Sequence, residues 1–325
     1  MATEGVLTGG RQKRHTRFVD MWIAAGLNPT NIEILTKLKS AEDRQFSQNM
    51  AVTGKGFDED RQEHKREESH LFGIRTDVWR PSKEVRERTL AALEKRQAKE
   101  RRAAAKSKSP ARDASEGELD QMVVEPDHDP VTADDIDKSR LVIKMFRNTS
   151  SRIRWQGTIE ELSVREIQNS LGSRRALASF AVILAEYEHL VVIQQNRRLF
   201  RIPPSFSFSY YQPKTDRMWY IDLDCHWVSI GVDYTILAQG RKIGSIDGRL
   251  LALGADSRIH VGEPGLADDE QFMDLLSLFA ATIGFHKQIW KHIRRRVSNV
   301  KRGRSVHFVE DEEMWLLKNP RRIAR

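Results

Sequence analysis

Residues 267–304 constrain the chain more than any other stretch. Asp268, Asp269 and Glu270 come first, then Phe272, Leu275, Leu276, Phe279, Ile283, His286, Trp290, Ile293 and Val297. The apolar positions recur at steps of three and four, which predicts one amphipathic helix of about 30 residues. Acids sit in its first turn and Lys291, Arg294, Arg295 and Arg296 near its end, so both ends suit the helix dipole. Gly284 is where such a helix can bend. A stripe of this width needs an apolar layer to cover, and the preceding residues supply one.

Those residues read as sheet. Phe206, Phe208 and Tyr210 alternate with Ser205, Ser207 and Ser209, a period of two. Strands are expected at 218–229, 231–237, 242–246, 250–253 and 258–261, with Asp247-Gly248 as a hairpin turn. Upstream, strands are expected at 141–146, 153–155, 190–193 and 199–202. Two helices fall between them. One opens at Thr158, in capping-box spacing with Glu161, and ends at Gly172. The other starts at Ser173 and carries Leu177, Phe180, Ala181 and Leu184. The expected fold class is α+β: a mainly antiparallel sheet packed on a long C-terminal amphipathic helix, in a domain spanning 139–325.

The N-terminal part reads as a helical and partly disordered arm. Residues 1–80 are expected to be flexible, with short docking helices at 17–25 and 30–38, and with Gly54 and Gly56 breaking any helix beyond. His64 and His70 stand among charges and read as solvent-exposed. A charged helix is expected at 81–105, within a block (83–112) that holds eleven basic residues and four acidic ones. The composition then reverses. Residues 113–137 carry ten acids and no lysine or arginine, and 106–138 reads as a disordered acidic linker.

Net charge is +8, which favours acidic partners: nucleic acid, an anionic membrane face or an acidic protein. A soluble basic domain with no polyanion ligand is the competing reading. Cys225 is the only cysteine, so an intrachain disulfide and a cysteine-based metal site are excluded. There is no apolar run of spanning length and no apolar signal core. A cytoplasmic protein is expected, or a nuclear one in a eukaryote. The chain has no glycine-rich nucleotide loop, nucleophile elbow or zinc-protease motif, and no cofactor is expected.

Two constellations could carry function. Lys287, Lys291, Arg294, Arg295, Arg296, Lys301, Arg302 and Arg304 fall within 18 residues that contain no acid. With Arg101 and Arg102 they are the candidate anion contacts. The alternative is a solvated helix end, with Trp290 continuing the apolar stripe. The second constellation is Asp222, Asp224 and His226. A strand places them on one face, with Cys225 opposite as a buried, inert thiol. Two carboxylates and an imidazole there could ligate a divalent metal or perform acid–base work, helped by Asp233, Asp247 or His260. The alternative is the water-facing side of a half-buried strand.

The run Tyr234-Thr-Ile-Leu-Ala-Gln-Gly-Arg-Lys-Ile-Gly-Ser-Ile-Asp-Gly-Arg249, followed by the helix from Phe272 to Ile283, resembles the tubby-like and LURP-one-related domains. Within 219–290, a hairpin with a glycine-marked return precedes an apolar helix. The resemblance implies a twisted antiparallel meander closing into a barrel around that helix. It also implies phosphoinositide, membrane or scaffold binding rather than catalysis, and it assigns no site residue.

The reading that covers most of the chain is a non-catalytic binding or assembly protein that contacts a polyanion, nucleic acid first, through its basic segments. The alternatives are a scaffold subunit reaching neighbours through 17–38, an anionic-membrane binding protein, and a metal-dependent enzyme built on Asp222, Asp224 and His226.

Overall fold

The computed structural model describes residues 15–22, 50–60, 65–75, 78–79, 139–149, 152–197, 204–226, 232–250 and 254–304. Twelve strands form a closed antiparallel barrel. They are β1 (His15–Trp22), β2 (Met50–Asp60), β3 (Lys65–Arg75), β4 (Val142–Asn148), β5 (Ile153–Glu161), β6 (Ser179–Leu184), β7 (Val191–Gln195), β8 (Ser205–Gln212), β9 (Arg217–Cys225), β10 (Tyr234–Ala238), β11 (Arg241–Leu250) and β12 (Gly254–Val261). Each strand pairs with the next, and β1 closes the ring on β12, with Phe18 opposite Arg258. Among the described residues, four helices accompany it: α1 (Ser163–Leu171), α2 (Pro264–Ala267), α3 (Glu270–Thr282) and α4 (His286–Lys301).

Period two decides what faces inward. Phe206, Phe208 and Tyr210 of β8, Trp219, Ile221 and Leu223 of β9, and Tyr234, Ile236 and Ala238 of β10 join one core. Side chains alone just fill a barrel of about eight strands, so twelve leave a lumen that something else must occupy. That occupant is α3. Every residue from Phe272 to Thr282 is buried. The helix touches β1, β4, β5, β6 and β12, while Phe279 packs edge-on against Phe206 of β8 and Tyr234 of β10.

Asp269 caps α3, accepting from the Gln271 and Phe272 amides, and also accepts the Tyr210 hydroxyl at 2.9 Å. Inside the wall, Arg17 of β1 reaches Asp274 at 2.5 Å and Asp58 of β2 at 2.8 Å. These bonds tie the helix to the two N-terminal strands. Burial raises the Asp274 carboxyl even against Arg17. α3 leaves the far end through a short turn, Ile283–Phe285, and α4 then crosses that end. The bend expected at Gly284 lies in this turn.

Several expectations fail in instructive ways. The helix expected at 17–25 is strand β1 from His15 to Trp22, and β2 and β3 run through the glycine-broken stretch. The fold therefore recruits residues well before 139. His70 is buried rather than exposed. The helix expected from Ser173 is strand β6. The one expected from Thr158 begins only at Ser163, because β5 runs on to Glu161. Asp247-Gly248 is no turn, since β11 passes through it with Asp247 opposite Arg258. The expected elements at 30–38, 81–105 and 199–202, and the linker at 106–138, lie outside the described residues.

A candidate anion-binding face on the capping helix

α4 has two faces. His286, Ile289, His292, Ile293 and Arg296 are buried, while Lys287, Lys291, Arg294 and Lys301 are exposed. Steps of four, three and seven put the exposed four on one line. Arg302 and Arg304 follow beyond the helix, also exposed. The 16 residues of α4 contain no aspartate or glutamate to neutralise that line. At 1.5 Å per residue the helix is about 24 Å long, so the charges form an extended stripe rather than a point.

The buried face fixes α4 to the barrel end. Trp79 packs its ring on Phe285 at 5.9 Å and on His292 at 5.4 Å. Trp290 donates its indole N–H to Gln195 Oε1 at 2.9 Å, so it is half-buried and anchored. Arg296 is 1% exposed and sits 2.8 Å from Glu161 and 3.4 Å from Glu166, with a further bond to the Ser139 carbonyl. Arg296 is therefore an internal tie and is removed from the anion-contact set expected from sequence. Glu161 also accepts the Leu141 amide, and Glu166 the Ser179 amide. Burial, and then the neighbouring Glu161, push Glu166 well above the usual carboxylate range.

Burial holds His286 down to about 3 and His292 to about 4. Both rings are neutral at physiological pH, so the positive field of α4 comes from its lysines and arginines alone. Arg295 is half-buried. Arg101 and Arg102 lie outside the described residues. Three arginines not singled out from sequence join the same end of the barrel. Gln195, which holds Trp290, also accepts the Ala178 amide. Arg174 and Arg175 precede Ala178 in exposed positions, and exposed Arg197 follows Gln195 and donates to the Asn169 carbonyl. Arg174 and Arg175 share one turn and Arg197 lies on another, so no single run in the sequence marks the three together.

The other constellation is a strand face. Ile221 and Leu223 point inward, Asp222 and Asp224 are half-buried, and His226 is exposed with its Nε2 2.6 Å from Thr235 Oγ1. Asp233 accepts the Gly248 amide. Among the described residues, no group of three or more His, Cys, Asp or Glu side chains could hold a metal ion. The metal-enzyme reading of this face is thereby corrected. Cys225 is half-buried, and burial, followed by Asp233 and Asp224, raises its thiol to about 11.

The fold and site define a closed β-barrel with an enclosed helix, internally paired charges and a one-signed helix across one end. No family model, curated protein or solved structure matches the chain. Among the described residues, no helix is long and apolar enough to cross a membrane.

Proposed function

We propose that this protein is a non-catalytic binding protein that contacts a polyanion, nucleic acid first, through the outer face of α4. The observation that carries this is the acid-free line Lys287, Lys291, Arg294 and Lys301, continued by Arg302 and Arg304 on a helix held rigidly by its other face. Preset cations can displace condensed counterions from phosphates without first being ordered, and backbone contacts of this kind carry no base specificity. The buried ion pairs support a binding scaffold: Arg296 and Arg17 lock the helices in place against the barrel.

A second reading has its own support. A closed antiparallel barrel around an apolar helix is what resemblance to tubby-like and LURP-one-related domains implies, and with it binding to phosphoinositide or an anionic membrane face. The same stripe would serve, through lipid headgroups. Binding of full-length protein to a 20-base-pair duplex and to anionic vesicles, each compared with K287E/K291E/R294E, tests both. Duplex binding lost in the variant supports the first reading. Vesicle binding alone supports the second. No binding to either sinks both.

A further inference from the structure

A second bank of cations stands beside α4. Gln195 Oε1, at the end of β7, accepts the Trp290 indole N–H at 2.9 Å and the Ala178 amide at 3.0 Å, so those two nitrogens lie within about 6 Å of each other. Arg175 is three residues before Ala178, at most about 11 Å of chain, and Arg197 is two residues beyond Gln195, at most about 7 Å. Arg197 donates to the Asn169 carbonyl, and a Cβ on Gly172 would meet its Nη2 at 3.4 Å. Its guanidinium is thereby set on the negative end of α1, beside Arg174. All three arginines are exposed, and residues 167–185 and 189–197 contain no aspartate or glutamate. On the other side of Trp290 run the α4 cations, with Lys287 three residues before it and Arg294 four after. Arg294 Nε donates to the Trp290 carbonyl at 3.2 Å, which folds that side chain back along the helix. Trp290 itself is half-buried, so part of its indole reaches solvent between the two banks.

We propose that this end of the barrel takes a single nucleic-acid strand in preference to a duplex, with phosphates on both banks and one base laid against Trp290. The inference rests on the function proposed above and names the form of nucleic acid. Cations alone attract either form, since both present phosphates. An aromatic ring set among cations adds attraction only for a base free of its stack, and every base has a face to offer, so the contact is tolerant of sequence. The two banks flank the ring, so a backbone running from one to the other crosses it. A single strand bends over such a step, whereas a duplex is stiff over this length. The indole is also preset: Gln195 holds its N–H, and the His286 ring packs on it at 5.6 Å, so little order is lost on stacking.

Binding of the full chain to a 20-nucleotide oligo-dT and to a 20-base-pair duplex, at the same salt of about 50 mM, tests the preference. The single strand should bind about tenfold more tightly, the worth of one stacked base. R174E/R175E/R197E should weaken oligo-dT binding more than tenfold while its unfolding midpoint stays at the wild-type value, since all three side chains are exposed. The ring is tested on the unaltered protein. Bromodeoxyuridine in the oligonucleotide, irradiated in the complex and read by peptide mass spectrometry, should couple to the peptide that carries Trp290. Equal or tighter duplex binding, an unaffected arginine variant, or cross-links confined to other peptides would each overturn the proposal. If duplex binding still depends on Lys287, Lys291 and Arg294 in that event, the function proposed above stands and only the single-strand assignment fails. Binding to neither form sinks both.

Discussion

Arg296 Nη1 lies 2.8 Å from Glu161 Oε1, and neither side chain is more than 1% exposed. One arginine of the basic run thus faces inward while its neighbour Arg294 faces solvent. Arg296→Met leaves Glu161 and Glu166 buried without their counter-charge, which costs about 3–5 kcal/mol. Urea unfolding should show that loss. Adding Glu161→Gln and Glu166→Gln should recover most of it. A loss below about 0.5 kcal/mol would mean that Arg296 is not the tie between α4 and the barrel.

His286 supplies a pH test. Its ring packs among Phe180, Phe206 and Phe279 inside the barrel end, with its Nε2 bonded to Thr282. Burial lowers its folded pKa to about 3 from the ordinary 6.5. The unfolded chain therefore binds the extra proton first. Stability from this group is fully present above about pH 6.5 and falls as pH drops towards 3, by up to about 1.4 kcal/mol per pH unit. The raised Glu166 carboxyl acts in the opposite sense, so the comparison should be between wild type and His286→Leu. The variant should lose close to one proton's worth of slope between pH 4 and 6. Parallel curves would contradict a buried, neutral ring.

Gly157 marks where the wall meets the enclosed helix. A Cβ there would stand 2.9 Å from the Ile183 carbonyl oxygen, 2.9 Å from Leu184 Cδ2 and 3.0 Å from Leu278 Cδ1. The carbonyl belongs to the paired strand and cannot swing aside. Gly157→Ala should therefore destabilise by about 1–3 kcal/mol through overpacking, although alanine suits most backbones better than glycine. A neutral or stabilising result would place α3 further from β5.

Cys225 tests the strand face. A thiol raised to about 11 has roughly one-hundredth the thiolate of an ordinary cysteine at pH 7.5. Higher intrinsic nucleophilicity recovers part of this, leaving alkylation by iodoacetamide about tenfold slower than for a free thiol. Faster reaction would reopen the face to nucleophilic chemistry.

The sequence made the sheet legible wherever one strand face meets water. In β8 and β9 the inward Phe206, Phe208, Ile221 and Leu223 alternate with serines and aspartates. It misled at β6, where Phe180, Ala181, Val182 and Leu184 are all buried and a near-continuous apolar run fits helix as readily as strand. In β1, Phe18, Met21 and Trp22 match a helical spacing, and only pairing with Gly254–Val261 and β2 selects extended backbone. The Asp247-Gly248 signal yielded to the ladder with β12, a non-local pairing invisible to a short window.

For the site, the basic run was legible as composition, and the apolar stripe assigned its faces in outline. What could not be read was that Arg296 finds Glu161 and Glu166, residues far away in sequence. The helix before it looked one-sided because Ser277, Ala280, Ala281 and Thr282 are small or polar. Their burial follows from the barrel closing around them, where small residues let the wall approach.

Duplex affinity against salt concentration tests the central claim most directly. For the full-length protein, log affinity should fall linearly with log salt, at a slope near 0.9 for each phosphate neutralised. K287E/K291E/R294E should flatten that slope by about 3 and weaken binding more than tenfold at low salt. Its unfolding midpoint should stay within experimental scatter, since all three side chains are exposed. Identical slopes and affinities for the two proteins, with both folded, would contradict the assignment of the α4 face as the anion-binding surface.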